Sequence, residues 1–191
     1  NAMSFPMSVG ATTLLFANRP TPDAVTDIIE NQKPTIFCGV PTLFAALLAY
    51  QDQRSENIDH NLRINTSAGE ALPREVGERW NAITGTDIVD GVGSTEMLHI
   101  FLSNRPDDLV YGTSGTAVPG YTVRLVDEVG NDCAVGEIGE LIVNGPSSAE
   151  SYWNRREKSK STFEGHWTRT GDKYEQTSEG RYIYCGRTDD M

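Results

Sequence analysis

Apolar and polar positions in the first half of the chain alternate between strand-like and helix-like spacing. Short β-prone runs predict strands, and the segments between them place apolar residues on one face of a helix. This alternation predicts an α/β fold in which helices flank a parallel sheet. Ligands of such sheets bind beyond the carboxyl ends of the strands. The predicted strands are residues 9–16, 35–38, 62–66 and 87–92, and the predicted helices start at Pro22, Pro41 and Pro73.

From about Gly115 onward the pattern changes to short β-prone runs separated by turn sequences. This second pattern predicts a small antiparallel β-barrel or sandwich subdomain. We therefore expect an α/β subdomain at residues 4–110 and a β-rich subdomain at residues 111–188, and we interpret residues 1–3 as a cloning remnant. The β-prone runs are residues 123–126, 139–143 and 181–184, with one helical stretch at residues 155–163.

Composition narrows the possible partners. Among 191 residues, Lys and Arg number 16 and Asp and Glu number 27, so the net charge is −11. A surface this acidic does not suit a nucleic acid or an anionic membrane. No apolar run approaches the roughly 20 residues that cross a bilayer. Cys38, Cys133 and Cys185 are isolated, which is typical of reduced thiols in a cytoplasmic protein.

The first candidate functional segment is residues 67–73 (SAGEALP), directly after a predicted strand and before a predicted helix. Small residues there allow the backbone to approach a flat ligand, and a helix N-terminus favours an anion. The alternative is an ordinary strand-to-helix turn.

The second candidate segment is residues 90–96 (DGVGSTE), which also follows a predicted strand. Its glycines, hydroxyls and carboxylate could cradle phosphates and hold a hard cation through oxygen. The alternative is the start of a helix, with Ser94 or Thr95 as its N-cap.

The third candidate segment is residues 167–172 (WTRTGD), with Arg187 fifteen residues beyond Asp172. An Asp held in a turn can accept two hydrogen bonds from a ribose diol, and a nearby Arg can bind phosphate or sugar oxygens. The alternative is a surface turn with a salt bridge.

In this order and spacing, the three segments resemble the adenylate-forming superfamily of acyl-CoA synthetases, luciferases and peptide-synthetase adenylation domains. The resemblance extends over nearly the whole chain after Met3. The matching stretches are residues 67–73 with the adenine-stacking loop, 93–96 with the Gly-x-Thr-Glu motif, 136–141 running on to 152–153 with the entry to the barrel, 168–172 with the Arg-Thr-Gly-Asp motif, and 186–190 with the hinge before the small domain.

The resemblance implies a role for each matching position. Thr95 and Glu96 would be catalytic, with Thr95 bonding phosphate oxygens and Glu96 holding Mg²⁺. Residues 189–191 would begin the hinge to a further C-terminal domain, with Asp189 as its pivot. The implied nucleotide-binding residues are Gly69, Glu70 and Ala71 against adenine, Asp90 at the adenine amino group together with Gly91, and Asp172 on the ribose with Arg187.

One departure from the superfamily pattern points to a branch. The superfamily usually has an aromatic residue before the Gly-x-Thr-Glu motif, whereas this chain has Val92. With the continuation at residues 97–106, this resembles benzoate–CoA ligases. In that branch Gly93, His99 and Ile100 would line an aryl pocket, with Gly93 leaving room for a flat ring. The alternative for His99 is a packed or exposed helix histidine.

The resemblance implies a two-step reaction. A small aromatic carboxylic acid and ATP give an acyl-adenylate and pyrophosphate, and CoA then displaces AMP to form a thioester. The implied cofactors and co-substrates are ATP or AMP, Mg²⁺ and CoA. We reject residues 112–116 (GTSGT) as the phosphate loop because no Lys follows. Without that Lys and the Lys of the small domain, the isolated chain is expected to show no appreciable turnover.

The sequence is also compatible with other acids and other functions. The acid could be a hydroxycinnamate or a substituted benzoate. The chain could instead be a non-catalytic interaction module or a degenerate gene fragment. Exposed sheet edges and apolar surface would also make a homo-oligomer possible.

Overall fold

The computed structural model describes residues 4–188, and the first two-thirds of that range builds one sheet of five strands. Its strands follow the spatial order β1-β2-β3-β4-β5. The strands are β1 Ile36–Gly39, β2 Ile64–Ser67, β3 Ile88–Gly93, β4 Ile100–Ser103 and β5 Thr116–Ala117, and the helices are α1 Ser4–Ser8, α2 Pro22–Gln32, α3 Pro41–Gln51 and α4 Arg74–Thr84.

This sheet is mixed, so the prediction of a parallel sheet is correct for only part of it. β1, β2 and β3 are parallel neighbours, as expected for strands joined by helices. β4 and β5 run antiparallel to their neighbours. Only residues 94–99 join β3 to β4, and a parallel crossover needs about a dozen residues or more. The chain therefore turns back antiparallel at the end of β3.

Two of the three predicted helix starts agree with the structure, and the third helix, α4, begins at Arg74, one residue after the predicted start at Pro73. α2 begins at Pro22 directly after Thr21, and α3 begins at Pro41. Proline suits the first helical position because its missing N–H would have no intrahelical partner there. The helices bury their apolar faces in a core around Phe44 and Trp80, whose rings meet edge to face at 4.9 Å.

The predicted strand at residues 9–16 is wrong. In the structure α1 ends at Ser8, and residues 11–17 have no regular secondary structure. Leu14 and Leu15 are 47% and 68% exposed. A β-prone composition makes a strand only where a neighbouring strand accepts and donates the backbone hydrogen bonds, and residues 9–16 have no such neighbour among the described residues.

The second sheet is antiparallel, as predicted, and curls into a half-barrel. Its order is β10-β9-β7-β6, with β8 paired to β9. The longest strand, β9, was not predicted because its charged residues and Gly-Asp pair were interpreted as a turn. The elements are β6 Thr122–Val126, β7 Ile138–Asn144, α5 Arg156–Thr162, β8 Phe163–Glu164, β9 Trp167–Gln176 and β10 Tyr182–Arg187.

Residues 112–116, rejected above as a phosphate loop, connect the two sheets. The backbone N–H of Ser114 donates to Tyr182 O at 2.8 Å, and Tyr182 N–H donates to Gly115 O at 3.1 Å. Thr113 and Ser114 are buried, and the Ser114 hydroxyl meets the Tyr174 hydroxyl at 3.3 Å. This loop therefore uses its polar groups inside the protein, where they are not available to a phosphate.

The predicted subdomain boundary at residue 110 stays a prediction, and in the structure the first sheet continues beyond it to β5. Within residues 4–188, no helix is both long and apolar enough to span a membrane.

Candidate functional site

A cleft of about 730 Å³ opens where β2 and β3 end. Two of the three predicted segments reach it, together with the residues proposed for an aryl pocket. This is the edge at which parallel strands present their carboxyl ends, as expected for a ligand site. The lining residues are Ser4, Phe5, Ala68, Gly69, Gly93, Ser94, Thr95, Leu98, His99 and Ile100.

Asp90 lies on β3 beside Ser67 on β2. Both side chains are buried, and neither Asp90 Oδ1 nor Ser67 Oγ has a hydrogen-bond partner among residues 4–188. Burial raises the pKa of Asp90 to about 7, and the Ser67 hydroxyl opposes this shift through an electrostatic contact that lacks hydrogen-bond geometry. A buried carboxyl oxygen without a partner is costly, so Asp90 Oδ1 and Ser67 Oγ are polar atoms that a ligand could satisfy.

Glu70 connects the first segment to helix α3. Its carboxylate accepts hydrogen bonds from the Thr42 backbone N–H at 3.3 Å and from the Thr42 hydroxyl at 3.2 Å. A carboxylate in the first turn of a helix is also favoured by the helix dipole. Gly69 has φ of +93°, in the region that favours glycine. Together these features determine the shape of the turn, and Thr42 was not predicted to take part.

Glycine at position 93 is also required by the backbone, in addition to its predicted role in the aryl pocket, which stays a prediction. A Cβ at this position would lie 2.4 Å from His99 O and 2.6 Å from the His99 carbonyl carbon. Glycine therefore allows the backbone of β3 to pass close to the start of β4. A Cβ on Gly91 would lie 3.0 Å from the Ile100 Cγ2 atom, so Gly91 accommodates the Ile100 side chain.

The second segment forms a turn, so its alternative interpretation as the start of a helix is wrong. Residues 95–98 are turn and bend, and the Met97 N–H donates to Ser94 Oγ at 3.2 Å. The strand β3 also extends through Gly93 rather than ending before the segment. Thr95 follows directly and lines the cleft.

Glu96 is held by a tyrosine from a distant part of the sequence. The Tyr152 hydroxyl donates to Glu96 Oε1 at 2.5 Å, and Lys158 Nζ lies 4.9 Å from the centre of the Tyr152 ring. Burial acts to raise the pKa of Glu96, but the Tyr152 hydrogen bond and nearby polar groups outweigh it and leave the pKa below its ordinary value. Glu96 is therefore a well-oriented carboxylate that favours its charged form.

Asp172 lies inside strand β9, not in a turn as predicted. Its cross-strand partner is Arg187 on β10, which donates from Nη1 to Asp172 Oδ1 at 2.9 Å. Burial raises the pKa of Asp172, and Arg187 opposes this shift without cancelling it. Glu96 and Glu140 also raise the pKa. Residues 167–172 are not among those that line the cleft, although Asp172 lies close enough to Glu96 for the Glu96 charge to affect its pKa.

His99 is not a helix histidine, because it lies in the bend before β4. Its Nδ1 atom is 2.8 Å from Ile100 O, and its Nε2 atom is 3.2 Å from the Tyr121 hydroxyl. Tyr121 carried no signal in the sequence. The hinge residue proposed from the sequence, Asp189, lies outside the described residues.

Most of the chain matches a known protein family. Residues 1–153 match the sequence model of a family described as AMP-binding enzyme. The chain belongs to the AMP-binding enzyme family. The superfamily resemblance inferred from the three segments is therefore confirmed.

The relatives of this AMP-binding family member include benzoate–CoA ligases. It is 57% identical to the benzoate–CoA ligase of Thauera aromatica and 54% identical to the 4-hydroxybenzoate–CoA/benzoate–CoA ligase of Rhodopseudomonas palustris. Both alignments cover 100% of the chain but only 36% and 35% of the relatives. The chain thus spans about a third of the length of these proteins.

Solved structures give the same result. A benzoate CoA ligase from Burkholderia xenovorans superposes with a TM-score of 0.93 at 53% identity, covering 99% of this chain and 38% of that one. An anthranilate CoA ligase solved with anthranoyl-AMP superposes with a TM-score of 0.93 at 45% identity, covering 98% of this chain and 36% of that one. The similarity therefore includes both sheets.

Proposed function

We propose that this chain forms the adenosine-phosphate and aromatic-acid site of an AMP-forming aryl–CoA ligase, with benzoate as the favoured acid. The observation that carries the proposal is the single cleft lined by the turn at Gly69, the turn at residues 94–95 and the pair at residues 99–100. In the reaction, a carboxylate oxygen attacks the α-phosphorus of ATP and pyrophosphate leaves. The CoA sulfur then attacks the acyl carbon, and AMP leaves.

The nucleobase would lie against the first segment. Gly69 lines the cleft and has no side chain to block a flat ring. Glu70 and Ala71 would complete that surface, with Glu70 held by its bonds to Thr42. The buried Asp90 carboxyl, next to Gly91, would accept a hydrogen bond from the adenine amino group, which would satisfy its unpaired oxygen.

The phosphates would lie at the second segment. The Thr95 hydroxyl lines the cleft and can donate to a phosphate oxygen. The residues present fit Mg²⁺, because that ion is usually held by one or two carboxylates together with substrate phosphates and water. Glu96 would be the carboxylate, and within residues 4–188 no cluster of three or more His, Cys, Asp or Glu side chains could hold a metal alone. When bound, the ion would neutralise charge on the phosphate oxygens.

The ribose and the acid would complete the site. Asp172, oriented by Arg187, would accept hydrogen bonds from the ribose hydroxyls. Gly93, His99 and Ile100 lie together at one part of the cleft wall, where Ile100 offers an apolar surface to an aryl ring. A substituted benzoate or a hydroxycinnamate is the alternative acid. A cytoplasmic location, CoA as co-substrate and a homo-oligomer stay part of this proposal.

Replacing Asp172 with Ala is expected to weaken AMP binding by about 1.5–3 kcal/mol, roughly 10- to 100-fold, because the ribose loses a charged acceptor. Isothermal titration calorimetry of the 191-residue chain with millimolar AMP measures the effect. Asp132→Ala is the matched control, since Asp132 also pairs with an arginine, Arg124 at 2.6 Å, but on the exposed surface. Equal losses in both variants, or no AMP binding by the unaltered chain, would contradict the proposal and favour a non-catalytic module.

The isolated chain is expected to show no appreciable turnover of ATP, benzoate and CoA. The physical reason is that it contains about a third of the length of the ligases it resembles, whereas the reaction requires charges to be neutralised and reactants to be positioned from several sides. A pyrophosphate-release assay measures this, with a full-length benzoate–CoA ligase as positive control. Clear turnover by the chain alone would refute the expectation.

A further inference from the structure

Hydrogen bonds connect the cleft wall to two segments that the proposed function does not use. The Ser147 hydroxyl donates to Met97 O at 2.6 Å and lies 2.6 Å from the Tyr121 hydroxyl. The Tyr121 hydroxyl lies 3.2 Å from His99 Nε2, and His99 Nδ1 lies 2.8 Å from Ile100 O. Tyr121 comes just before β6 and Ser147 follows β7, so the second sheet is linked to the wall of the cleft.

The number of available hydrogens determines which group is the donor in each of these contacts. A carbonyl oxygen only accepts, so His99 Nδ1 must carry a hydrogen toward Ile100 O. When the His99 ring is neutral, its Nε2 atom has a lone pair, and only the Tyr121 hydroxyl can donate to it. The single hydrogen of Ser147 then serves either the Tyr121 oxygen or Met97 O, both at 2.6 Å, but not both. When the ring is protonated, Nε2 donates to Tyr121, Tyr121 donates to Ser147 and Ser147 donates to Met97 O, so each contact contains one hydrogen.

The Tyr121 ring has a defined position. A Cβ on Gly145 would lie 2.2 Å from the Tyr121 Cδ1 atom, so the glycine leaves the space that the ring occupies. The Tyr121 and His99 rings meet edge to face, with centroids 5.7 Å apart and planes at 77°. His99 is thus held at both nitrogens and along one edge, although its side chain is exposed to the cleft. Such a ring loses little conformational freedom when a ligand packs against it.

We propose that Tyr121 is a positioning residue for His99 and that it thereby shapes the aromatic-acid end of the cleft. Ser147 supports Tyr121 from the side opposite His99. The effect on the acid rests on the proposed function, whereas the control of the His99 ring does not. The hydrogen bonding of the His99 ring and the affinity for ligands are therefore measured in separate experiments.

The hydrogen bonding of the His99 ring is measured by nuclear magnetic resonance on the 191-residue chain labelled with ¹⁵N-histidine. The chain contains three histidines. In spectra recorded at about pH 9, we expect the His99 Nε2 resonance to show a hydrogen-bonded acceptor. In Tyr121→Phe this resonance should move toward that of a nitrogen without a hydrogen bond, because the donor is gone. His99→Asn assigns the signal, and the resonances of His60 and His166 should not move.

Tyr50→Phe is the matched control. Tyr50 is half-buried on α3, where Arg54 lies 5.9 Å from its ring centre, and its hydroxyl makes no hydrogen bond with the described residues. Removing that hydroxyl should leave the His99 resonances unchanged. Identical His99 ring resonances in the unaltered chain and in Tyr121→Phe would overturn the inference, whether or not any ligand binds.

Ligand affinity is measured by calorimetry with AMP and with a non-hydrolysable benzoyl-adenylate. Tyr121→Phe should weaken binding of the benzoyl-adenylate by about three- to tenfold, the size of one neutral hydrogen bond, and should leave AMP binding within about twofold of the unaltered chain. Equal effects on both ligands, or none on either, would overturn the proposed role at the acid. If the unaltered chain bound neither ligand, the proposed function would fail, and the His99 resonances would still decide whether Tyr121 positions the ring.

Discussion

Gly115→Ala is expected to lower the free energy of unfolding by about 3 kcal/mol or more. Gly115 has φ of +73°, and a Cβ there would lie 2.1 Å from Ser103 O and 2.2 Å from the Ser103 carbonyl carbon. The obstacle is backbone, which cannot rotate away. The backbone of β4 or the loop between the two sheets would have to shift. Urea denaturation followed by circular dichroism measures the loss.

Gly120→Ala separates the two causes. Gly120 also has a positive φ, +92°, but nothing lies within 4 Å of a Cβ at that position. This control should therefore lose only the cost of the left-handed backbone, about 1–2 kcal/mol. Equal losses in the two variants would show that the close approach of Gly115 to Ser103 adds no cost to a Cβ at this position.

Asp90→Asn is expected to change how the free energy of unfolding depends on pH, by up to about 4 kcal/mol between acidic and neutral pH. The folded-state pKa of Asp90 is raised to about 7 by burial, whereas an unfolded Asp titrates near 3.9. Between these values the folded chain binds more protons at Asp90 than the unfolded chain does. The contribution of Asp90 to the unfolding free energy therefore falls as the pH rises from about 4 to 7, and it is constant above 7.

An asparagine at this position cannot ionise, so Asp90→Asn should gain stability relative to the unaltered chain as the pH rises from 4 to 7. Denaturation curves at pH 4.5 and pH 8 for both proteins measure this difference. Asp107→Asn makes the same charge change at an exposed position and should give a difference that hardly varies with pH. If Asp90→Asn behaved like that control, the buried carboxyl would not be destabilising.

The buried Asp90 carboxyl and the hydrogen-bonded Glu96 carboxylate differ in a way that suits a ligand site. Glu96 is stabilised in its charged form by Tyr152. Asp90 is buried and has an oxygen without a partner. Sites that bind ligands often contain such locally unfavourable groups, which a bound molecule then satisfies. The proposed adenine contact would supply the missing partner.

The sequence by itself determined the local features. Prolines at the starts of α2 and α3 agree with the structure, because the first helical position has a local requirement that one residue meets. The strands β1 and β2 were predictable because each lies between two helices, and β3 was predictable because it directly follows α4. Two of the candidate segments were identified from their residue types and reach the same cleft, since the carboxyl ends of parallel strands share one edge.

Which strands pair, and which distant side chains meet, was decided only by the tertiary structure. Residues 9–16 have the composition of a strand but no neighbour, whereas β9 is highly polar and is a strand because β7 and β10 pair with it. The contact between Tyr152 and Glu96 joins residues 56 positions apart, and that between Tyr121 and His99 joins residues 22 apart. A periodic pattern reports on neighbours within a few residues along the chain. Contacts at these separations depend on how the two sheets pack, and that packing is decided by the whole core at once.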